Sequence, residues 1–185
     1  GFLCRRQCRG QQVSKDREFM PLNIAVLTVS DTRTEENDTS GNTLVDRLTA
    51  AGHHAADKAI VPDDIYVIRA RVSAWIADPD IQAIVTTGGT GVTGRDGTPE
   101  AVEVLLDKKI DGFGELFRGL SYGGMPASTM EARGRAGGAN ATYLVCVPGS
   151  SGACRTAWDK LIEKQLDYRT RPCNLVELMP RLTER

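Results

Sequence analysis

A chain of 185 residues, 41% hydrophobic and 25% charged, is typical of a single soluble globular domain, and none of its apolar runs is long enough to span a bilayer. Its 23 basic and 24 acidic side chains leave a formal net charge of −1, which excludes nonspecific electrostatic binding of nucleic acid. The five cysteines form no C-x-x-C pair and no cluster with histidine, so we expect reduced thiols, a cytoplasmic location and no zinc site.

The basic stretch 1–18 lacks the continuous apolar segment of a secretory signal. We expect this leader to be disordered, residues 19–180 to form one domain, and residues 181–185 to be a short tail.

Apolar runs and turn residues predict strands that alternate with helices along the rest of the chain. Strands are expected over 22–29, 55–61, 81–85 and 142–147, and helices through 44–48, from 64 onward, and over 99–108, 113–120, 128–135 and 153–166. The first run is nearly unbroken, which is typical of a parallel strand covered on both faces. The predicted fold class is therefore α/β, a three-layer α/β/α arrangement around a mostly parallel, doubly wound sheet.

Four loops follow strands and should share the carboxyl edge of this sheet, where α/β proteins bind ligands. They are 30–31, 62–63, the glycine turn 86–91, and 148–150. The glycine turn favours an anion, because glycines let backbone N–H groups approach a phosphate closely. We therefore expect a phosphorylated ligand.

The glycine turn also begins a G-x-G-x-x-G pattern at Gly89, Gly91 and Gly94, which raises the alternative of a dinucleotide-binding oxidoreductase. That pattern should follow the opening strand and lead directly into a helix, whereas here it follows the third strand and the next helix begins later. A Walker A motif is excluded because an arginine follows Gly94 where a lysine is required.

Asp63 and Asp96 are carboxylates in loops that should face this phosphate site. Carboxylates repel a phosphorylated ligand unless a cation lies between them, and Mg²⁺ is commonly held by one or two carboxylates together with substrate phosphates. The pattern favours magnesium-assisted phosphoryl or nucleotidyl transfer, with both residues as catalytic and metal-binding candidates. Structural alternatives stay open, since Asp63 or Asp64 suits the N-cap of the next helix and Asp96 suits turn formation.

Other polar residues near this edge have more than one interpretation. Ser30 and Ser150 either donate to phosphate or serve as turn and cap residues, whereas His53 and His54 have no cluster around them and are expected to face solvent. Several arginines are candidates to add positive charge, and the sequence does not choose among them: Arg69, Arg71, Arg95, Arg118, Arg133 and Arg155.

Six short blocks within residues 19–180 carry a further signal. They are 27–33 (LTVSDTR), 38–41 (DTSG), 86–91 (TTGGTG), 111–118 (DGFGELFR), 148–150 (PGS) and 169–174 (RTRPCN). In order and spacing these blocks resemble the MoaB/MogA family of molybdenum cofactor biosynthesis proteins, which includes the G-domain of gephyrin. The resemblance implies a three-layer α/β domain that assembles as a trimer or as a hexamer of paired trimers.

The resemblance also implies a reaction, the adenylylation of molybdopterin by ATP with release of pyrophosphate. In active members, aspartates matching Asp63 and Asp96 are tied to catalysis, and this chain keeps the first, which some MoaB proteins lack. The implied substrates are ATP and molybdopterin, Mg²⁺ fits the chemistry, and further ligand contacts are expected from Ser30, Asp31, Thr87, Gly88, Gly89, Thr90, Gly91, Glu115, Ser128, Pro148, Gly149 and Ser150. The competing hypothesis is a catalytically inactive protein that binds or carries molybdopterin for other proteins of the pathway.

Overall fold

A computed structural model describes residues 12–184. Its strands are β1 (Gln12–Val13), β2 (Asn23–Val29), β3 (His54–Val61), β4 (Ala83–Thr87), β5 (Lys108–Lys109), β6 (Arg135–Ala139), β7 (Thr142–Val147) and β8 (Thr170–Arg171). Six of them form one sheet in the order β3-β2-β4-β7-β6-β5, in which β3, β2, β4 and β7 are parallel and β6 is antiparallel to both of its neighbours. The predicted mostly parallel sheet is confirmed.

Helices cover both faces of this sheet. They are α1 (Thr39–Ala50), α2 (Ile65–Ala77), α3 (Thr98–Glu103), α4 (Asp111–Tyr122), α5 (Pro126–Thr129), α6 (Ser151–Ala157), α7 (Glu163–Gln165) and α8 (Leu175–Leu178), with a π-helix at Trp158–Ile162 and a 3₁₀ helix at Met179–Arg181. Within the described part of the chain, no helix has both the length and the apolar character needed to cross a membrane.

Strand β2 shows why the sheet needs helices on both sides. Its residues are almost all buried, and successive side chains point to opposite faces. Ile24 and Val26 enter one hydrophobic cluster with residues of α1, α4 and α6, whereas Ala25 and Leu27 enter a second cluster with residues of α2 and α3. The two clusters are the cores of the three-layer arrangement.

Two predicted helices are shorter than expected, and strands take their place. The helix predicted over 99–108 ends at Glu103, with β5 beginning at Lys108, and the helix predicted over 128–135 is reduced to α5, with β6 beginning at Arg135. Strand β6 is rich in glycine and short, so it lacks the alternating apolar pattern that identifies a strand. A Cβ at Gly137 would lie 2.5 Å from the Lys108 carbonyl oxygen, so the β5–β6 pairing needs glycine there.

The boundary of the predicted disordered leader is wrong. Residues 12–13 pair antiparallel with residues 170–171. Arg17 strengthens this contact through an ion pair with Glu177 at 2.9 Å and a hydrogen bond to the Tyr168 carbonyl. The rest of the predicted leader, residues 1–11, lies outside the described residues, as does residue 185.

His53 is buried rather than facing solvent, so that prediction is also wrong. Only 2% of the residue is exposed, and its Nδ1 accepts a hydrogen bond from the Leu22 N–H at 3.0 Å. The imidazole lies between the rings of Phe19 and Trp158. Burial among these apolar rings lowers the pKa of His53 to about 4, because the charged imidazolium loses its hydration.

Candidate functional site

A pocket of about 410 Å³ opens at the carboxyl edge of β2, β4 and β7. The predicted binding residues that line it are Ser30, Thr87, Gly88, Gly89, Thr90, Gly91, Ser128, Pro148 and Gly149, together with the predicted catalytic residue Asp96. The lining also includes residues to which the sequence gave no role: Thr28, Val29, Arg33, Asp38, Ser40, Glu131 and Ala132. The shared carboxyl edge thus brings most of the predicted site together.

The glycine turn forms the floor of this pocket. Gly88 and Gly89 have positive φ angles of +98° and +68°, and a Cβ at Gly88 would lie 2.2 Å from the Val29 carbonyl oxygen. Thr98 fixes the turn, because its hydroxyl donates to the Gly88 carbonyl and its N–H donates to the Gly89 carbonyl, each at 3.0 Å. Within residues 12–184 the N–H groups of Gly89 and Thr90 find no acceptor. Those two donors are available for an anion.

Asp63 lies beside the glycine turn and is free of the capping role. The N-cap of α2 is Asp64, whose carboxylate accepts from the N–H groups of Tyr66 and Val67. Asp63 Oδ1 instead accepts from the Gly97 N–H at 3.0 Å, and Oδ2 lies 2.7 Å from the position that a Cβ on Gly89 would occupy. The carboxylate is therefore next to the turn, although it does not line the pocket itself.

The electrostatic surroundings of Asp63 are unfavourable for a negative charge. Burial raises the pKa of the Asp63 carboxyl, and the nearby carboxylates of Asp96 and Asp31 raise it further. The Gly97 N–H acts in the opposite direction but does not balance these effects. A cation near Asp63 would relieve the repulsion.

Asp96 both closes a turn and lines the pocket. Its Oδ2 accepts from the Thr93 N–H at 2.9 Å and from the Thr93 hydroxyl at 2.7 Å, so it closes a turn. Mainly because of that hydroxyl, the pKa of Asp96 is lowered and the carboxylate stays ionised. The same carboxylate lines the pocket and lies 2.7 Å from the position that a Cβ on Gly91 would occupy. The hydrogen bonds that close the turn therefore also hold the negative charge of Asp96 at the wall of the pocket.

Asp31 joins two loops at the edge of the site. Its carboxylate accepts from Arg95 Nε at 3.0 Å and Nη2 at 2.6 Å, and Oδ1 also accepts from the Asp63 N–H at 3.0 Å. The Arg95 guanidinium lowers the pKa of Asp31. Arg95 therefore neutralises Asp31 and is not a source of free positive charge for the pocket.

Asp38 is a pocket residue that the sequence analysis missed. It is fully buried, and its carboxylate accepts from the Thr28 hydroxyl at 2.7 Å and the Gly41 N–H at 3.0 Å, and pairs with Lys58 Nζ at 3.0 Å. Burial alone raises the pKa of this carboxyl, but these donors outweigh burial and lower it. The available signal was an Asp at an N-cap position within the block 38–41.

Arg33 was also missed as a source of positive charge. It is the only arginine among the described residues that line the pocket, whereas none of the six candidate arginines does so. One terminal nitrogen, Nη1, donates to the Asn37 carbonyl at 2.7 Å, which anchors the side chain on its own loop. The remaining donors of the guanidinium are available to an anionic ligand.

Glu115 and Ser150 lie outside the pocket lining, and Ser30 has a second role. Glu115 lies on α4 in a separate depression with Asp111, Arg118 and Arg135. Ser150 is the N-cap of α6, where its hydroxyl accepts from the Ala153 N–H at 3.0 Å. Ser30 does line the pocket, but its hydroxyl also closes a turn by accepting from the N–H groups of residues 32 and 33.

The acidic residues do not form a metal site by themselves. In the part of the chain that the structure describes, no three His, Cys, Asp or Glu side chains come together in a group that could hold a metal ion. Any metal at this edge would take most of its ligands from a substrate or from water.

Comparison with known proteins identifies the family. Residues 25–168 match a family described as a probable molybdopterin binding domain. Over 157 residues the chain is 55% identical to molybdenum cofactor biosynthesis protein B of Escherichia coli strain K12. This alignment covers 85% of this chain and 92% of the relative. The chain belongs to the MoaB/MogA family of molybdenum cofactor biosynthesis proteins.

Solved structures of MoaB proteins agree with this assignment. A crystal structure of molybdenum cofactor biosynthesis protein B has 44% sequence identity to this chain and a TM-score of 0.79. The superposition covers 81% of this chain and 94% of the chain in that structure. The structure of the tungsten cofactor synthesizing protein MoaB from Pyrococcus furiosus has 33% sequence identity and a TM-score of 0.70. The superposition covers 78% of this chain and 92% of the Pyrococcus chain. The predicted MoaB/MogA-like fold is confirmed, and the chain has a role in molybdenum cofactor biosynthesis.

Proposed function

We propose that the protein adenylylates molybdopterin with ATP in the presence of Mg²⁺. A terminal phosphate oxygen of molybdopterin attacks the α-phosphorus of ATP, a new P–O bond forms, and the bond between the α-phosphorus and the bridging oxygen breaks. Pyrophosphate leaves with that oxygen, and adenylylated molybdopterin remains. The observation that carries the proposal is the placement of Asp63 and Asp96 beside a glycine turn with free N–H donors, in a member of this family.

The glycine turn supplies the phosphate contacts in this proposal. The N–H groups of Gly89 and Thr90 are fixed before a ligand arrives, so they donate to phosphate without a cost of ordering. Arg33 adds the positive charge of a side chain that lines the same pocket. The pterin and the nucleotide would share the remaining volume between the loop of Arg33 and the wall formed by Ser128 and Glu131.

The carboxylates near the turn make a cation necessary. Two phosphorylated substrates would otherwise meet Asp96 inside the pocket and Asp63 beside it, with one lining arginine to compensate. A magnesium ion fits, because it needs only one or two protein carboxylates when phosphates supply other ligands, and it would supply positive charge against the charge that develops on the phosphates. Asp63 and Asp96 are the residues that would hold it.

The proposed reaction needs no general base. The second ionisation of a phosphate monoester has a pKa of about 6, so the attacking phosphate is mostly a dianion at neutral pH. The two aspartates are therefore free to position the metal and the phosphates, which is where most catalysis of phosphoryl transfer arises.

The test is a single-turnover reaction. Purified protein in excess over molybdopterin is mixed with Mg-ATP, and adenylylated pterin and pyrophosphate are quantified by chromatography. Equal amounts of the two products, dependent on Mg²⁺, would support the transferase. Bound pterin without either product would support the carrier hypothesis.

The family resemblance also implies an oligomeric state, and the cysteine content favours a cytoplasmic location. We include in the proposal a homotrimer or a hexamer, a cytoplasmic location, and contacts with other proteins of the pathway. Light scattering of the purified chain tests the assembly, since a monomer at micromolar concentration would contradict it.

A further inference from the structure

Arg133 makes an unusual set of contacts beneath the glycine turn. Its Nε donates to the Gly91 carbonyl at 2.7 Å, and Nη2 donates to the Asp96 main-chain carbonyl at 2.8 Å. Nη1 pairs with the Glu100 carboxylate, and the Arg133 N–H donates to the Thr90 carbonyl at 3.1 Å. One residue therefore contacts both ends of the loop 91–96 as well as the helix that follows it.

The middle of this loop is held by the Arg95–Asp31 pair and by the Thr93–Asp96 turn, whereas Arg133 contacts the main chain at both of its ends. Residues 92–97 lie in neither a helix nor a strand, and the loop carries the Asp96 carboxylate into the pocket. The Arg133 guanidinium is a rigid planar fork, and here its orientation is fixed by Glu100. Fixing the carbonyls of Gly91 and Asp96 restricts where the Asp96 carboxylate and the adjoining N–H groups can lie.

Arg133 also connects two walls of the pocket. It directly follows Glu131 and Ala132, which line the pocket. Its donors point at protein carbonyls and a carboxylate, so it is poorly placed to contact phosphate itself. This removes it from the candidate ligands for the anion and leaves a mechanical role.

We infer that Arg133 is a positioning residue, which sets the Asp96 carboxylate in the geometry that the transfer step requires. The inference rests on the proposed function for its catalytic part. Its structural part, restraint of the loop 91–96, does not depend on any reaction.

The test compares Arg133→Lys with Arg47→Lys. Arg47 makes a two-donor pair with Asp159 on the surface, so its replacement loses the same kind of fork away from the pocket. Lysine keeps the charge but cannot reach three acceptors in one plane. We measure three quantities in both variants: molybdopterin affinity, the single-turnover rate, and deuterium exchange of the amides in residues 91–98.

Three results are expected for Arg133→Lys. The single-turnover rate falls about 10- to 100-fold, because small displacements of a catalytic group carry losses of this size. Molybdopterin affinity changes by less than about threefold, so that the loss is in the rate and not in binding. Exchange in residues 91–98 becomes faster, whereas Arg47→Lys leaves all three quantities unchanged.

Rescue separates positioning from a general loss of structure. Arg133→Ala should regain part of its rate when dilute guanidinium is added, and Asp96→Asn should not. If Arg133→Lys does not fold, Glu100→Gln removes the partner that orients the guanidinium and should shift rate and exchange in the same direction by a smaller factor. Wild-type rate and exchange in Arg133→Lys would overturn the inference.

The outcomes also distinguish this inference from the proposed function. If the wild-type protein forms no adenylylated product, the transferase proposal fails. The exchange measurement then still tests whether Arg133 restrains the loop 91–96. Faster exchange in Arg133→Lys would then still show that Arg133 restrains the loop, whereas unchanged exchange would overturn that as well.

Discussion

The two edges of the same sheet treat their polar groups in opposite ways. At the amino edge, side chains satisfy exposed main-chain groups: Gln82 accepts from the Asn23 N–H at 2.7 Å, and the Asn140 amide donates to a carbonyl of α2 at 2.9 Å. At the carboxyl edge, within the described residues, N–H groups of the glycine turn lack acceptors, and Asp63 is close to other carboxylates. At these positions the amino edge satisfies its main-chain groups with side chains, whereas the glycine turn at the carboxyl edge leaves main-chain donors unpaired within residues 12–184.

This difference has an energetic meaning. Unpaired donors and neighbouring like charges are unfavourable in the folded state, so they persist where a ligand satisfies them. The carboxyl edge offers donors for phosphate and carboxylates for a cation at the same place. The comparison therefore indicates which edge binds the ligand without reference to any relative.

The largest effect is expected from removing a charge at the carboxyl edge. Asp63→Asn and Asp96→Asn keep the size of the side chain, and each should lower the single-turnover rate by about 10²–10³, roughly 3–4 kcal/mol of transition-state stabilisation. A loss below about threefold in either variant would show that the charge is not used in the reaction.

The stability of Asp63→Asn sharpens the same comparison. Because the folded-state pKa of Asp63 is raised, its contribution to stability is present below the pKa of the unfolded chain and is lost as pH rises through the folded-state pKa. At neutral pH, Asp63→Asn should therefore leave the free energy of unfolding unchanged or increase it, as measured by urea denaturation. A clear decrease would mean that the carboxylate serves the fold.

At the amino edge we expect an effect of pH on stability through His53. Its pKa is lowered from 6.5 to about 4, so the unfolded chain binds the proton first as pH falls. Stability is complete above pH 6.5 and should fall by at most about 3 kcal/mol towards pH 4, at a slope of up to about 1.4 kcal/mol per pH unit. His53→Asn keeps an acceptor for the Leu22 N–H but does not titrate, so parallel stability curves for the two proteins would contradict the assignment.

Asp38 lies at the carboxyl edge, but protein donors satisfy its carboxylate, as side chains satisfy main-chain groups at the amino edge. Its donors include Thr28 and Lys58, and Asp38→Asn would turn an amide nitrogen or a neutral oxygen towards the partly buried ammonium of Lys58. We expect a decrease of about 2 kcal/mol in the free energy of unfolding, less than for a fully isolated pair because Lys58 keeps Glu35. Equal stabilities of Asp38→Asn and Asp63→Asn would remove the distinction between them.

The smallest effect is expected at the turn between β6 and β7. Asn140 and Ala141 have positive φ angles of 47° and 64°, and alanine is strained in this region. Ala141→Gly should therefore stabilise the protein by about 1 kcal/mol in urea denaturation. The same substitution at Ala74, exposed within α2, should destabilise the protein by about the same amount. If both substitutions changed the free energy of unfolding in the same direction, the strain at Ala141 would be contradicted.

Much of the site could be predicted because parallel strands end at one edge. Once 22–29 and 81–85 were recognised as strands, the loops after them had to meet, which places Ser30, Gly88 and Asp96 in one pocket. The pattern required no knowledge of side-chain contacts. It is the part of the structure that backbone topology alone determines.

The remainder depends on contacts between distant segments. The role of Asp38 requires Lys58 from β3, and the burial of His53 requires Phe19 and Trp158 from opposite ends of the domain. Strand β6 forms because glycine permits close pairing, and a glycine-rich segment carries no alternating apolar pattern. Local sequence contains none of these partners.

The most direct test of the central claim is a crystal structure of the protein soaked with molybdopterin. We expect a phosphate oxygen within about 3 Å of the Gly89 and Thr90 nitrogen atoms, with the pterin between Arg33 and Glu131. Molybdopterin bound elsewhere, for example in the apolar groove lined by Phe113 and Leu161, with the glycine turn empty, would contradict it.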